Sequence, residues 1–173
     1  MVKINQFINW VNLLSTITGK SASLIIYPLM FSLLYEVIAR YVFNSPTVWA
    51  YDISYMLYGT YFIIGAAYVQ LLNRNIAIDI FSSKFSKRKH AIIYTIGYLI
   101  FLFPVLIALF WKGIDNAYLS YLQQERSTYS SWEPLLWIFK SMLPIGIFFL
   151  LLQAICDFCK YVNLSLGGDN YER

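Results

Sequence analysis

The sequence predicts an all-α integral membrane protein with four transmembrane helices plus amphipathic interfacial helices. Three observations predict it. Apolar residues make up 59% of the chain and charged residues only 13%, about half the charged share of a soluble domain, which leaves too little polar skin to face water all round. Four runs reach the roughly 20 mostly apolar residues that a bilayer crossing requires. Aromatic residues reach 19%, with 15 Tyr and 5 Trp, side chains that favour the membrane–water interface.

The first element covers residues 1–20. In "MVKINQFINWVNLLSTITGK", Ile4, Phe7, Ile8, Val11 and Leu14 recur at helical spacing against Asn5, Gln6, Asn9, Asn12 and Ser15. That pattern is amphipathic, without a continuous apolar core or a small-residue cleavage site. The expectation is a helix lying on the membrane surface, not a cleavable signal. A four-helix membrane domain follows over 21–160, with spans expected at about 22–41, 48–72, 91–111 and 135–158. "NSPT" supplies the start of the second span, where Asn44 or Ser45 can cap and Pro46 suits the first turn. Pro28, Pro104 and Pro144 lie inside spans as tolerated kinks. An amphipathic segment is expected over about 112–124, where Ile114, Ala117, Tyr118, Tyr121 and Leu122 share a face opposite Asp115, Asn116, Ser120 and Gln123. Such a helix suits a membrane surface or a partner. Residues 161–173 are expected to be a flexible tail.

Charge sets the expected orientation. From Arg74 to His90 there are five bases, four of them Lys84, Lys87, Arg88 and Lys89, against one acid, Asp79. From Lys112 to Glu133 there are two bases and three acids. The positive-inside rule places the first of these connections in the cytoplasm, and four spans then put both termini there too. Lying between two apolar runs, the basic cluster reads as a topology signal and not as a nucleic-acid patch.

Several chemistries lack their residues. One histidine, His90, cannot supply bis-imidazole haem ligation or a histidine-rich metal site. No Gly-rich phosphate loop is present. Cys156 and Cys159 form "CDFC" at the end of an apolar helix, where they read as two small apolar residues. Asp115, Glu125 and Glu133 read as solvated loop acids. No catalytic residue, cofactor site or metal site is expected, and an enzyme is not the leading reading.

The informative stretch is "YEVIARYVFNSPTVWAYDISY", residues 35–55, which carries Glu36, Arg40 and Asp52 between apolar runs. A charge at mid-membrane costs about 2.5–3.5 kcal/mol on insertion scales. Glu36 and Arg40 are four apart and share a helix face. Two readings are open. In one, the pair is local and Arg40 snorkels to the headgroups. In the other, Glu36, Arg40 and Asp52 form a three-member network that fixes the first hairpin and faces a partner protein.

The same stretch resembles the signature of the small membrane subunit of tripartite ATP-independent periplasmic (TRAP) transporters, the DctQ-like family. Glu36, Arg40, Tyr41, Phe43, Asn44, Pro46, Trp49 and Asp52 match its pattern, with Asp52 standing where the family more often has Glu. A second match lies in "SSWEPLLWIFKSMLPIGIFFLLLQAICD", with Trp132, Pro134, Lys140, Pro144, Gly146 and Gln153 in order. One departure follows span two, where the family's His-x-Arg-x-Asp reads "NIAID" and only Asp79 is kept. The resemblance implies a scaffold without catalysis in the bacterial inner membrane. Its expected partners are a large membrane subunit, a periplasmic binding protein met transiently, and lipid, with no nucleic acid. The large subunit, not this chain, is expected to bind sodium while carrying an organic acid. It implies a partner-facing polar network of Glu36, Arg40, Tyr41, Asn44, Trp49, Asp52, Trp132 and Lys140, with Ile114, Tyr118 and Tyr121 on the amphipathic helix. The alternative is a small four-helix proton-coupled multidrug exporter acting as a homodimer, which would want a free carboxylate in the middle of span one.

Overall fold

The computed structural model describes residues 2–72 and 87–166. These form helices α1 (Val2–Leu24), α2 (Ile26–Tyr41), α3 (Ala50–Leu71), α4 (Lys87–Gly97), α5 (Phe103–Leu122) and α6 (Trp137–Ser165). A π-helical turn, Tyr98–Leu102, joins α4 to α5. Among the described residues there is no strand, only an isolated bridge between Arg126 and Leu135. Asn75, Ala77, Asp79 and Lys84 lie outside the described residues, as does the tail beyond Leu166; α6 continues to Ser165, into the stretch expected to be tail.

Three helical stretches among the described residues are long and apolar enough to cross a membrane: Gln6–Tyr41, Arg88–Leu122 and Trp137–Ser165. The first merges α1 and α2, so the expected interfacial helix over 1–20 is continuous with the expected first span. Pro28 explains the small break between them. It has no N–H for the Leu24 carbonyl, and the chain tightens there, with the Ile25 N–H bonding Ala22 O at 3.0 Å. Pro104 acts in the same way on the second stretch. It has no N–H to bond the Ile100 carbonyl in the α-helical pattern, and the Phe103 N–H reaches back to Tyr98 O in the π pattern. The expected amphipathic segment over 112–124 is the last part of α5, not a separate helix.

Neither Asn44 nor Ser45 caps the helix of the second expected span, α3. That helix starts at Ala50, preceded by Trp49 with no side-chain cap bond, and the Ala50 N–H instead meets Thr47 Oγ1 at 3.4 Å. The reason is that Thr47 is held by Glu36, which draws the connection out before the helix begins.

The bundle is arranged around α6. Seven residues of α6 are buried, against two in α2, four in α3 and three in α5, so α6 is the central helix and the others carry broad outward faces. It runs parallel to α3, with Gly146 beside Ile63, and antiparallel to α5, with Phe110 by Phe148 and Tyr121 by Trp137. Leu106, Ile147 and Ala154 form the α5–α6 core, flanked by Phe103, Leu143 and Leu150. α3 runs antiparallel to α1 and α2 as if they were one rod: Gly19 faces Tyr68, and Ser32 Oγ lies 3.1 Å from Ser54 Oγ. The first turns of α1, the start of α4 and the end of α6 share one end of the bundle. There Ile8 and Val11 cover Cys156, and Arg88 Nε donates to Ser165 O at 3.0 Å. The connections 42–49 and 123–136 share the other, the loop end.

The α3–α6 contact depends on a missing side chain. A Cβ on Gly146 would lie 2.8 Å from the Ile63 carbonyl oxygen, and a backbone cannot yield as a side-chain tip can. Gly146→Val should therefore lower stability by about 1–3 kcal/mol through overpacking, read as thermal denaturation in detergent. Gly65→Ala, where a Cβ meets nothing within 4 Å, should melt like the parent.

Candidate functional site

The loop end gathers most of the charged and aromatic residues that the sequence marks. Glu36 stands in the last turns of α2. Its Oε1 accepts from Arg40 Nε at 2.8 Å and from the second guanidinium nitrogen, and its Oε2 accepts from the Thr47 N–H at 2.9 Å and from the Thr47 hydroxyl. Both oxygens are therefore occupied, and the carboxylate ties α2 to the start of α3. Arg40 is the outer member, with its side chain 55% exposed. The connection turns at Asn44, whose φ of 49° is left-handed, a region Asn tolerates better than most residues. Ser45 N–H closes the turn onto Ala39 O at 3.0 Å. Tyr41 projects outward, and Trp49 stacks on Tyr35 with centroids 5.6 Å apart.

Asp52 does not join this group. It is buried in the first turn of α3 and accepts from Ser127 Oγ at 2.6 Å and from Ser130 Oγ. The described contacts divide the three charges into two clusters, Glu36–Arg40–Thr47 and Asp52–Ser127–Ser130. The separation is geometric. A residue in the first turn of α3 whose face is turned to the bundle interior meets the 123–136 connection, while Arg40 looks outward from α2.

That connection is held on several sides. Ser127 N–H donates to Pro134 O and Leu136 N–H to Glu125 O, both at 2.9 Å, and Gln124 and Glu133 take positive φ values of 48° and 46° at its corners. The two serines that Asp52 holds also accept backbone bonds, from the N–H groups of Tyr129 and Trp132 at 3.3 Å each. Lys140 on α6 pairs with Glu125 and lies 3.5 Å from Asn116 Oδ1. The Lys140 hydrogen bond lowers the Glu125 carboxyl below its ordinary value. Tyr129 leans on Tyr51 and Tyr55, and Trp132 is half exposed.

The residues expected on an amphipathic helix divide by face. Ile114 and Tyr118 line an open apolar groove of about 460 Å³ between α5 and α6, with Phe110, Pro144 and Phe148. Tyr121 instead meets Trp137 edge-on at 5.4 Å.

Sequence reasoning did not single out Thr47, Ser127 or Ser130, whose partners are set by tertiary approach, and it read Glu125 as a solvated loop acid where the structure pairs it with Lys140. It also passed over a polar cluster at the opposite end: Ser15, Gln70, Tyr98, Gln153 and Asp157. Amides inside apolar runs were the available signal, since a polar group at membrane depth needs a partner. Among the described residues no three His, Cys, Asp or Glu side chains converge to hold a metal. Cys156 is buried and Cys159 exposed, both as free thiols.

The bonded ends and the outward apolar faces suit a membrane component. A family model for the DctQ component of tripartite ATP-independent periplasmic transporters matches residues 29–163. The chain belongs to the DctQ family. It is thus a transporter component, the small membrane subunit, and not a member of an enzyme family. A search of curated proteins finds no match to this chain. The matched span includes both loop-end clusters and most of the opposite polar cluster, but it begins after α1.

Two outcomes are expected here. Asp52→Ala leaves two serine hydroxyls without their acceptor, a loss of about 1–3 kcal/mol for buried groups. Amide exchange at Ser127 and Leu136 should rise at least about tenfold, whereas Arg40→Ala, with Thr47 still holding Glu36, should leave those amides protected. The Glu125–Lys140 tie has a pH sign. A carboxyl lowered in the folded state contributes stability above its unfolded value and loses it as pH falls through the folded one. Proteolysis of the 123–136 connection should accelerate as pH drops below 4.5, and Glu125→Gln should remove that dependence.

Proposed function

We propose that this chain is the membrane scaffold of a TRAP transporter, associating with a large membrane subunit to support sodium-coupled, binding-protein-dependent uptake of an organic acid. The observation that carries the reading is the DctQ match over residues 29–163. The geometry supports a scaffold role. Glu36, Arg40, Asp52, Glu125 and Lys140 are bonded within the chain, and large apolar side chains face outward: Phe31, Phe62, Phe101 and Trp111 are all well exposed. Such a surface suits lipid and a membrane partner. Catalysis, a cofactor and a sodium site are assigned to no residue of this chain; sodium belongs to the large subunit.

The fourth span in this reading is α3. Its five tyrosines, Tyr51, Tyr55, Tyr58, Tyr61 and Tyr68, lower its mean hydropathy, yet it has 22 residues. At 1.5 Å each that is about 33 Å, enough for a hydrocarbon core of roughly 30 Å. With four spans in an inner membrane, the basic cluster and both termini lie in the cytoplasm and the loop end in the periplasm. The shared position of α1's first turns, α4's start and α6's end agrees with that arrangement. The exporter alternative loses its main requirement, since both oxygens of Glu36 are bonded to Arg40 and Thr47.

Reconstitution tests the function. Purified alone, the chain should give no organic-acid or sodium flux above empty liposomes, and adding the large subunit and binding protein should produce uptake. Flux by the chain alone would favour the exporter. For orientation, a cysteine at Thr128 should label from the periplasm and one at Ser86 only after permeabilisation, each in a background lacking Cys156 and Cys159. The reverse pattern would invert the topology.

A further inference from the structure

At the end opposite the loops, Gln153 has no exposed surface and uses its whole amide. Its Oε1 accepts from Ser15 Oγ at 2.9 Å, while its Nε2 lies 3.4 Å from Asn12 Oδ1 and 3.4 Å from Asp157 Oδ1. Asp157, also buried, accepts from Lys160 at 3.0 Å and from Gln70 Nε2 at 3.2 Å, and Gln70 donates further to the Tyr98 hydroxyl. One amide therefore joins α1 to a cluster that already links α3, the π turn and α6.

From the geometry we infer that Gln153 is the positioning residue for the N-terminal half of α1. Little else holds that segment. Ile8 and Val11 cover Cys156, but in a bilayer apolar side chains gain little by exchanging lipid for protein. The opposite face of α1, with Trp10, Leu13 and Ile17 exposed, is as apolar as the docked one, so hydrophobicity does not choose which face turns inward. Polarity does choose. Asn12 and Ser15 both point at Gln153, and a polar group facing lipid without a partner is costly. The next fixed point along α1 is the close approach of Gly19 to Tyr68, so the turns before it depend on the amide. The family match begins at residue 29, so this contact pairs a residue inside the matched region with an element outside it.

Disulfide trapping tests the inference in the full-length chain. Ile8→Cys, with native Cys156 and with Cys159→Ser, should cross-link on oxidation in membranes. Gln153→Leu should cut the yield about fivefold or more, and Ser15→Ala, which removes a single hydroxyl, should cut it by less. A control pair, Ser32→Cys with Ser54→Cys and both native cysteines changed to Ser, reports the α2–α3 contact. Loss at the first pair with the control unchanged is the expected result. An unchanged first pair would overturn the inference, and so would an equal loss at both pairs, because the effect would then be general unfolding.

Discussion

Lipid offers apolar side chains nearly the environment that a protein interior does, so burying them cannot by itself hold helices together in a membrane. The rest of this structure follows from that constraint. What joins the helices is a small set of hidden polar bonds and close backbone approaches. Asp52 binds two serines from a distant connection, Glu36 binds Thr47 in the connection to the next helix, and Gln153 and Asp157 gather four elements. Between these two polar ends, Gly146 lets α6 approach the backbone of α3. The outward faces are then free of structural duty, and they carry the large aromatic and aliphatic residues.

In this DctQ-family subunit the loop-end charges serve shape. The two loop-end clusters do that in different ways. Glu36 sets how the chain leaves α2 and enters α3, while Asp52 holds the long connection down onto the first turn of α3. The two bonded ends flank the apolar groove at Phe110, Ile114, Tyr118 and Phe148, a lateral feature of the surface.

Much of this was legible in the chain. The apolar runs, the basic cluster and the charged stretch at residues 35–55 gave the class of protein and the family. The Glu36–Arg40 pair was legible because it is local, four residues apart on one helix. The partners of Asp52 were not, since Ser127 and Ser130 lie more than seventy residues away in a connection whose course only the tertiary fold determines. Continuity is hard to read where composition changes within one helix. The polar residues of α1 suggested a separate surface helix, yet Asn12 and Ser15 turn inward to Gln153 and the helix runs on past them. Likewise the polar face of residues 112–124 marks no new element, because α5 simply continues from apolar to mixed surroundings.

Hidden polar bonds, not apolar contact, hold this bundle together, and a double-mutant cycle at Asp52 measures one of them. Unfolding free energies in lipid or detergent would be measured for the parent, Asp52→Ala, the Ser127→Ala/Ser130→Ala pair, and all three changes together. Hydrogen bonds to a charged group contribute about 1.5–3 kcal/mol, so the account predicts a coupling energy above about 1.5 kcal/mol. A coupling indistinguishable from zero would contradict it, because the carboxylate and the two hydroxyls would then be neighbours without being what joins the loop to the bundle.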